Sequence, residues 1–430
     1  MMTLDNIVQG HIEELKRDGA RERGLAAHAL GKIGPEANAA VPALTDVLSD
    51  EDVRVRLVAA RALVKIDPYH EAALRALTEA LCAKDEFVRN WAADALDRIG
   101  PESTAAVPAL VAALKDDDPL VREWAASALG KIGPKAADAV SALVDTLKDP
   151  AKMVREWSAF ALGRIGPDAR AAVPALVEAL HDEDGIVHEW AVHALGRMGP
   201  EARSAVPALK EVLSDPDAFV REWCTDALGK IGPAAAGAVP GLTGALRDAT
   251  VGVRRGAALA LGKIGAAQEA VSALIESLQD DDATVREWAA YALGKIGPDA
   301  RAAVPALTTA LMDANEGVRI LAADALGKVG PVRVAVPALA GALGDKAVEV
   351  RVFAALALGQ IGPEARAAVP ALAAALKDED PVVRTYAADA LGQIGRAARS
   401  ALPPLQSACK DHDPDVQVAA SKALEKIGTD

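Results

Sequence analysis

The sequence predicts an all-α, right-handed α-solenoid of about 13 two-helix repeats, each of 33 residues. Three observations predict it. Ala-Leu-Gly-Lys-Ile-Gly and its variants place an anchor leucine at Leu30, Leu63, Leu96, Leu129, Leu162, Leu195, Leu228, Leu261, Leu293, Leu326, Leu358, Leu391 and Leu424, spaced by 33 residues and twice by 32. At 430 residues the chain exceeds what one hydrophobic core sustains, and a fixed period selects an elongated array over separate globules. Alanine and leucine dominate, aromatics are 3%, and glycine and proline recur at fixed places.

Each element of the unit has a local reason. In residues 101–133, Val107, Leu110, Val111 and Leu114 follow the spacing of a buried helical stripe, and Pro108 sits near that helix's start, where a missing N–H matters little. Lys115 to Asp118 is a polar turn. Asp118 is an N-cap with Pro119 behind it, and Val121, Ala125, Leu129 and Ile132 form the second helix's buried stripe. Gly133 then accepts a left-handed end and Pro134 forbids continuation. Both 32-residue spacings lose their residue after the second glycine, at Gly265 to Val271 and Gly330 to Val336, which marks a link. The repeats divide one domain, 1–430, at approximately 1–34, 35–67, 68–100, 101–133, 134–166, 167–199, 200–232, 233–265, 266–297, 298–330, 331–362, 363–395 and 396–430. End units are less regular, with Glu22 in place of valine and with Gln417, Lys422 and Glu425. One hairpin cannot bury its stripes alone, so stability comes from stacking on neighbours.

The string Asp-x-x-x-x-Val-Arg-x-x-Ala-Ala-x-Ala-Leu-Gly-Lys-Ile-Gly-Pro resembles the HEAT-like repeat of phycobilisome lyases across essentially the whole chain. The resemblance implies a ladder between an aspartate in the inter-helix turn and an arginine early in the second helix. The matching aspartates include Asp50, Asp116, Asp149, Asp182, Asp215, Asp248, Asp280, Asp313, Asp345, Asp378 and Asp411. The arginines are Arg56, Arg89, Arg122, Arg155, Arg221, Arg254, Arg286, Arg319, Arg351 and Arg384, with His188 and Gln417 as departures. Charges near buried repeat interfaces persist when paired, so the expected role is structural. The resemblance further implies that second helices line a concave groove.

Opposite the buried stripe, the outward face carries the residues nine, six, five and two before the anchor and two after it. All six tryptophans stand five before an anchor: Trp91, Trp124, Trp157, Trp190, Trp223 and, after a break at Gly256, Trp288. Nine before stand Phe87, Leu120, Met153, Ile186 and Phe219. Beside them runs an acidic row, Glu123, Glu156, Glu189, Glu222 and Glu287, and two after the anchor a basic row from Lys131 to Lys328. Two before, the residue varies freely, including Phe160, His193 and Tyr291, as selective binding would use. The expected site is thus a groove over repeats three to seven, echoed in repeat nine. Its partner is a protein or peptide with basic and apolar residues, anchored on tryptophan and selected by glutamate. Packing of each tryptophan against the adjacent unit is the competing structural role.

The expected function is a non-catalytic protein-binding scaffold without cofactor. His70-Glu71 and His188-Glu189 are out of phase, so they do not form the paired site of a di-iron hydroxylase. His181, His188 and His193 do not converge on a metal. Glycines cap helices rather than cradle phosphate, and no nucleophile–base spacing stands out. A bilin lyase-like or chaperone-type subunit working with a second protein is the alternative that the resemblance implies. A net charge of −14 argues against a DNA-binding solenoid. Cys82, Cys224 and Cys409 form no metal or redox spacing, and no run of about 18 apolar residues or signal-peptide core occurs. A cytoplasmic, membrane-free location is expected.

Overall fold

A computed structural model describes residues 4–81, 83–99, 104–265, 268–330 and 333–428, so Cys82 and Pro101 lie outside the described residues. The chain is an all-α solenoid; among the described residues it has twenty-six α-helices, two per repeat, and no strand. It packs as two compact units, Met1–Ala208 and Leu209–Asp430.

The repeat forms for the reasons its residues supply. Asp118 caps the second helix Pro119–Ile132 by accepting the Leu120 N–H. Val121, Ala125 and Leu129 are fully enclosed and Ile132 nearly so. The first helix, Val107–Ala113, has only two turns; it buries Val107 and Leu110, and Leu114 follows it inside. Val111 is half-buried, because so short a helix presents one narrow face.

Between most repeats the chain is not a bare link but a seven-residue 3-10 segment, such as Gly133–Ala139. Ala136 breaks its helical angles at φ −95°, ψ 22°, and tucks with Ala139 out of solvent. Gly133 itself has φ 69° and ψ −135°, the mirror image of an extended residue rather than the left-handed helical conformation expected. A Cβ excludes that conformation, and a following proline favours the extended form over the helical one. Gly265, in one of the shortened links, has φ 71° and ψ 48° and is the left-handed cap.

The ladder runs between repeats. Arg122 Nε and Nη2 donate to Asp149 at 2.7 and 2.9 Å, while Nη1 donates to the Asp116 carbonyl at 2.7 Å. Asp149 Oδ1 also accepts the Ala151 N–H, which closes the next turn. In the first unit the pairs are Arg23–Asp50, Arg89–Asp116, Arg122–Asp149 and Arg155–Asp182. In the second they run from Arg221–Asp248 to Arg384–Asp411. Arg23 is a ladder member that the pattern reading passed over. Arg56 donates only to the carbonyls of Asp50 and Glu51, because Ala83 stands where the next aspartate would be. Gln417 reaches the Asp411 carbonyl in the arginine's place.

These contacts give stability a definite pH dependence. Arginine bonds hold Asp50, Asp248, Asp313 and Asp411 below the usual carboxylate range. A carboxylate depressed in the folded state stabilises the fold above its unfolded pKa, about 4, and that contribution is lost as pH falls below it. Burial raises Glu123, Glu156 and Glu287, so their ionisation opposes folding and acidification relieves it. Thermal midpoints measured from pH 8 to pH 3 are therefore expected to pass through a maximum in mildly acidic solution and then fall steeply. A midpoint still rising at the acid end would contradict the ladder's role.

Candidate functional site

The second helices of repeats three to six, Glu86–Ile99, Pro119–Ile132, Lys152–Ile165 and Gly185–Met198, all belong to the first unit. Their outward faces carry the predicted rows. Phe87, Leu120, Met153 and Ile186 are exposed, between 37% and 53%. Trp91, Trp124, Trp157 and Trp190 are half-buried, neither enclosed between helices nor free in solvent. The second unit contributes Phe219, 72% exposed, with Trp223 half-buried, and in repeat nine Trp288 with Tyr291.

The aromatic rings form a connected run. Phe160 lies edge-on to Trp157 at 5.3 Å and to Trp190 of the next repeat at 5.0 Å, and Trp190 lies edge-on to His193 at 5.4 Å. These are the orientations that ring quadrupoles favour. Trp288 and Tyr291 pair the same way at 5.4 Å. At the near end, the Arg61 guanidinium sits 5.0 Å over Trp91.

The position two before the anchor is a wedge between helices rather than a freely presented side chain. A Cβ on Gly130 would come within 2.8 Å of the Phe160 ring, so that glycine leaves the room Phe160 fills. Gly262 does the same for Tyr291 at 3.0 Å. Ser127 is buried and donates to Asp97 at 2.6 Å, as does Lys131 at 2.6 Å. Asp97 is 3% exposed and was not among the predicted site residues. Its signal was available: an acidic residue where the repeat ordinarily has glycine after the anchor. Lys230 and Lys328 of the basic row likewise pair with Asp226 and Asp324.

The glutamates differ from one another. Glu123 is raised by burial, against the Trp157 indole hydrogen bond that favours its charge. Glu222 accepts from Arg255 at 2.8 Å, and Gly252 leaves its carboxylate room. Gly317 does so for Glu287, whose carboxyl burial also raises. Glu189 is half-buried. Glu156 is only 8% exposed and its Oε1 has no hydrogen-bond partner. Burial, then Asp184, push its carboxyl above the usual range, with Lys152 opposing.

In the second unit the missing tryptophan at Gly256 leaves a cavity of about 280 Å³ bounded by Trp223, Thr225, Arg255 and Leu259. A cleft of about 830 Å³ beside Met312, Gly341 and Gly344 lies at the inter-helix turns instead, next to the ladder pair Arg319–Asp345. Among the described residues no three His, Cys, Asp or Glu side chains gather to hold a metal, and no helix is long and apolar enough to cross a membrane. The surface offers apolar contact, indole edges and carboxylates.

A family model for HEAT repeats matches residues 8–97, 88–163, 140–229, 173–262, 206–294, 239–327, 279–352, 304–380, 336–400 and 369–430. No match is found among curated protein sequences. Of solved structures, an engineered protein is similar at 24% identity and TM-score 0.52, with 99% of each chain covered. Importin beta is similar at 15% identity and TM-score 0.56, over 99% of this chain and 68% of that one. Kap95p, in a structure concerning its binding of RanGDP, is similar at 18% identity and TM-score 0.51; the chain spans 61% of its length. At these identities the likeness is one of fold.

Proposed function

The chain belongs to the HEAT-repeat family, and on that premise we propose that it is a non-catalytic scaffold whose second helices bind a protein or peptide carrying basic and apolar side chains. The observation that supports this most is the exposed row Phe87, Leu120, Met153 and Ile186 running beside half-buried tryptophans and carboxylates. Exposed apolar side chains in line, with half-buried indoles and carboxylates beside them, are what a complementary interface uses. Kap95p, with the same fold, is described as binding RanGDP, which agrees with a protein-binding use of such a surface. Cys224 and Cys409 are free thiols, in keeping with a reducing, cytoplasmic setting.

The test uses a defined probe, an amphipathic peptide of alternating leucine and arginine, titrated into the full chain by calorimetry. Wild-type protein is expected to bind it, and Met153→Asp with Ile186→Asp to weaken binding about tenfold or more, since each exposed anchor supplies on the order of 1 to 2 kcal/mol. Both sites are exposed, so melting should change little. Absence of binding, or equal binding by the double variant, would reject the reading.

A further inference from the structure

We propose that Glu156 is the seat for one arginine side chain of the partner. The inference rests on the groove reading above and goes further, because it gives one subsite and one residue type. Glu156 lies on the helix Lys152–Ile165, one turn after the exposed Met153 and next to Trp157, with Ile186 at Met153's position on the neighbouring repeat.

Its equivalents show what is missing. Glu123 receives an indole N–H and Glu222 an arginine of the next repeat. Glu156 is the buried member of the row, the other four being half-buried, yet its Oε1 receives nothing. A buried carboxylate without a donor opposes folding, and the strain is relieved when a cation reaches it. Of the cations near it, Arg155 is already held by Asp182, and Lys152 is itself 60% exposed and drawn to Asp184 at a long 3.3 Å. A ligand can displace Lys152.

The neighbourhood selects arginine over lysine. A guanidinium is less strongly hydrated than an ammonium and binds a carboxylate through two parallel N–H groups. Its flat faces stack on aromatic rings, here the Trp157, Phe160 and Trp190 run, while its methylenes lie along Met153 and Ile186. Arg61 over Trp91 shows the chain itself using that contact.

The experiment compares the leucine–arginine probe with versions carrying lysine or citrulline, against wild type, Glu156→Gln and, on the first helix Val173–Ala179 and outside the predicted rows, Glu178→Gln. Wild type should prefer arginine to citrulline by about tenfold or more, the effect of a charged hydrogen bond. Glu156→Gln should abolish most of that preference and melt no lower than wild type at pH 7, because the amide removes an unpaired buried charge. Glu178→Gln should retain it. Loss of affinity with a gain of stability separates a binding role from a structural one. Should Glu156→Gln keep the arginine preference, or wild type bind arginine and citrulline probes equally, this subsite is rejected while the groove stands. No binding by any probe rejects both.

Discussion

Replacing Arg319 by alanine is expected to destabilise the second unit by about 3 to 5 kcal/mol, the range for removing one member of a buried ion pair. Arg319 is 5% exposed. Its Nε and Nη2 donate to Asp345 at 2.8 and 3.0 Å, and Nη1 donates to the carbonyls of Asp313 and Ala314 at 2.9 and 3.3 Å. The substitution therefore strips two turns at once, its own and that of the following repeat. Asp345 keeps the Ala347 N–H but loses the bonds that offset its burial. Lysine should not rescue the variant, since an ammonium cannot span both carboxylate oxygens and two carbonyls. Arg56→Ala, which loses only carbonyl contacts, should lose less, and Arg333→Ala almost nothing, because Arg333 is 80% exposed in its pair with Glu364. Urea unfolding checks the order. A loss below about 1 kcal/mol at Arg319 would place the ladder among ordinary surface pairs.

The parts of the fold legible in the sequence were those set inside one repeat. Asp118, Pro119 and the stripe Val121, Ala125, Leu129 act within a single helix, so their spacing was enough. What depends on two repeats was not. Phe160 reads as a groove residue by its angle on its own helix, but the space it fills is opened by Gly130, thirty residues earlier. Arg23 reads as part of an irregular first repeat, yet its partner Asp50 is supplied by the second repeat. Glu123, Glu156 and Glu222 are one motif position with the same local context. They diverge because Trp157 donates to the first, Arg255 to the last, and nothing to Glu156 Oε1. A periodic sequence shows where a row runs; which of its members is left unsatisfied depends on neighbours that the period averages away.

The anchor leucines and the tryptophans share helices but should respond to truncation very differently. Leu162→Ala is expected to lower stability by about 4 to 5 kcal/mol, near the top of the range for buried leucine. Leu162 is fully enclosed on the helix Lys152–Ile165, whose Ala159 and Ala161 are also fully buried, as is Ala194 on the next second helix. Alanines have no atoms to reach into a vacated space. Nor can the helices move closer, because a Cβ at Gly163 would already stand 3.0 Å from the Ala194 Cα, so the two backbones are at contact. The cavity stays open, and the penalty grows with its volume. Leu162→Met, which keeps the volume, should stay within about 1.5 kcal/mol. Trp157→Ala removes a larger side chain, but one half-buried at the outer surface, where water enters instead of a void, so its loss should be smaller. The midpoint of urea unfolding reads the difference, provided the slope is unchanged. A Leu162→Ala loss under about 2 kcal/mol would mean that neighbouring second helices close on the gap, and that their contact along Gly163 is not the rigid stop it is in this structure.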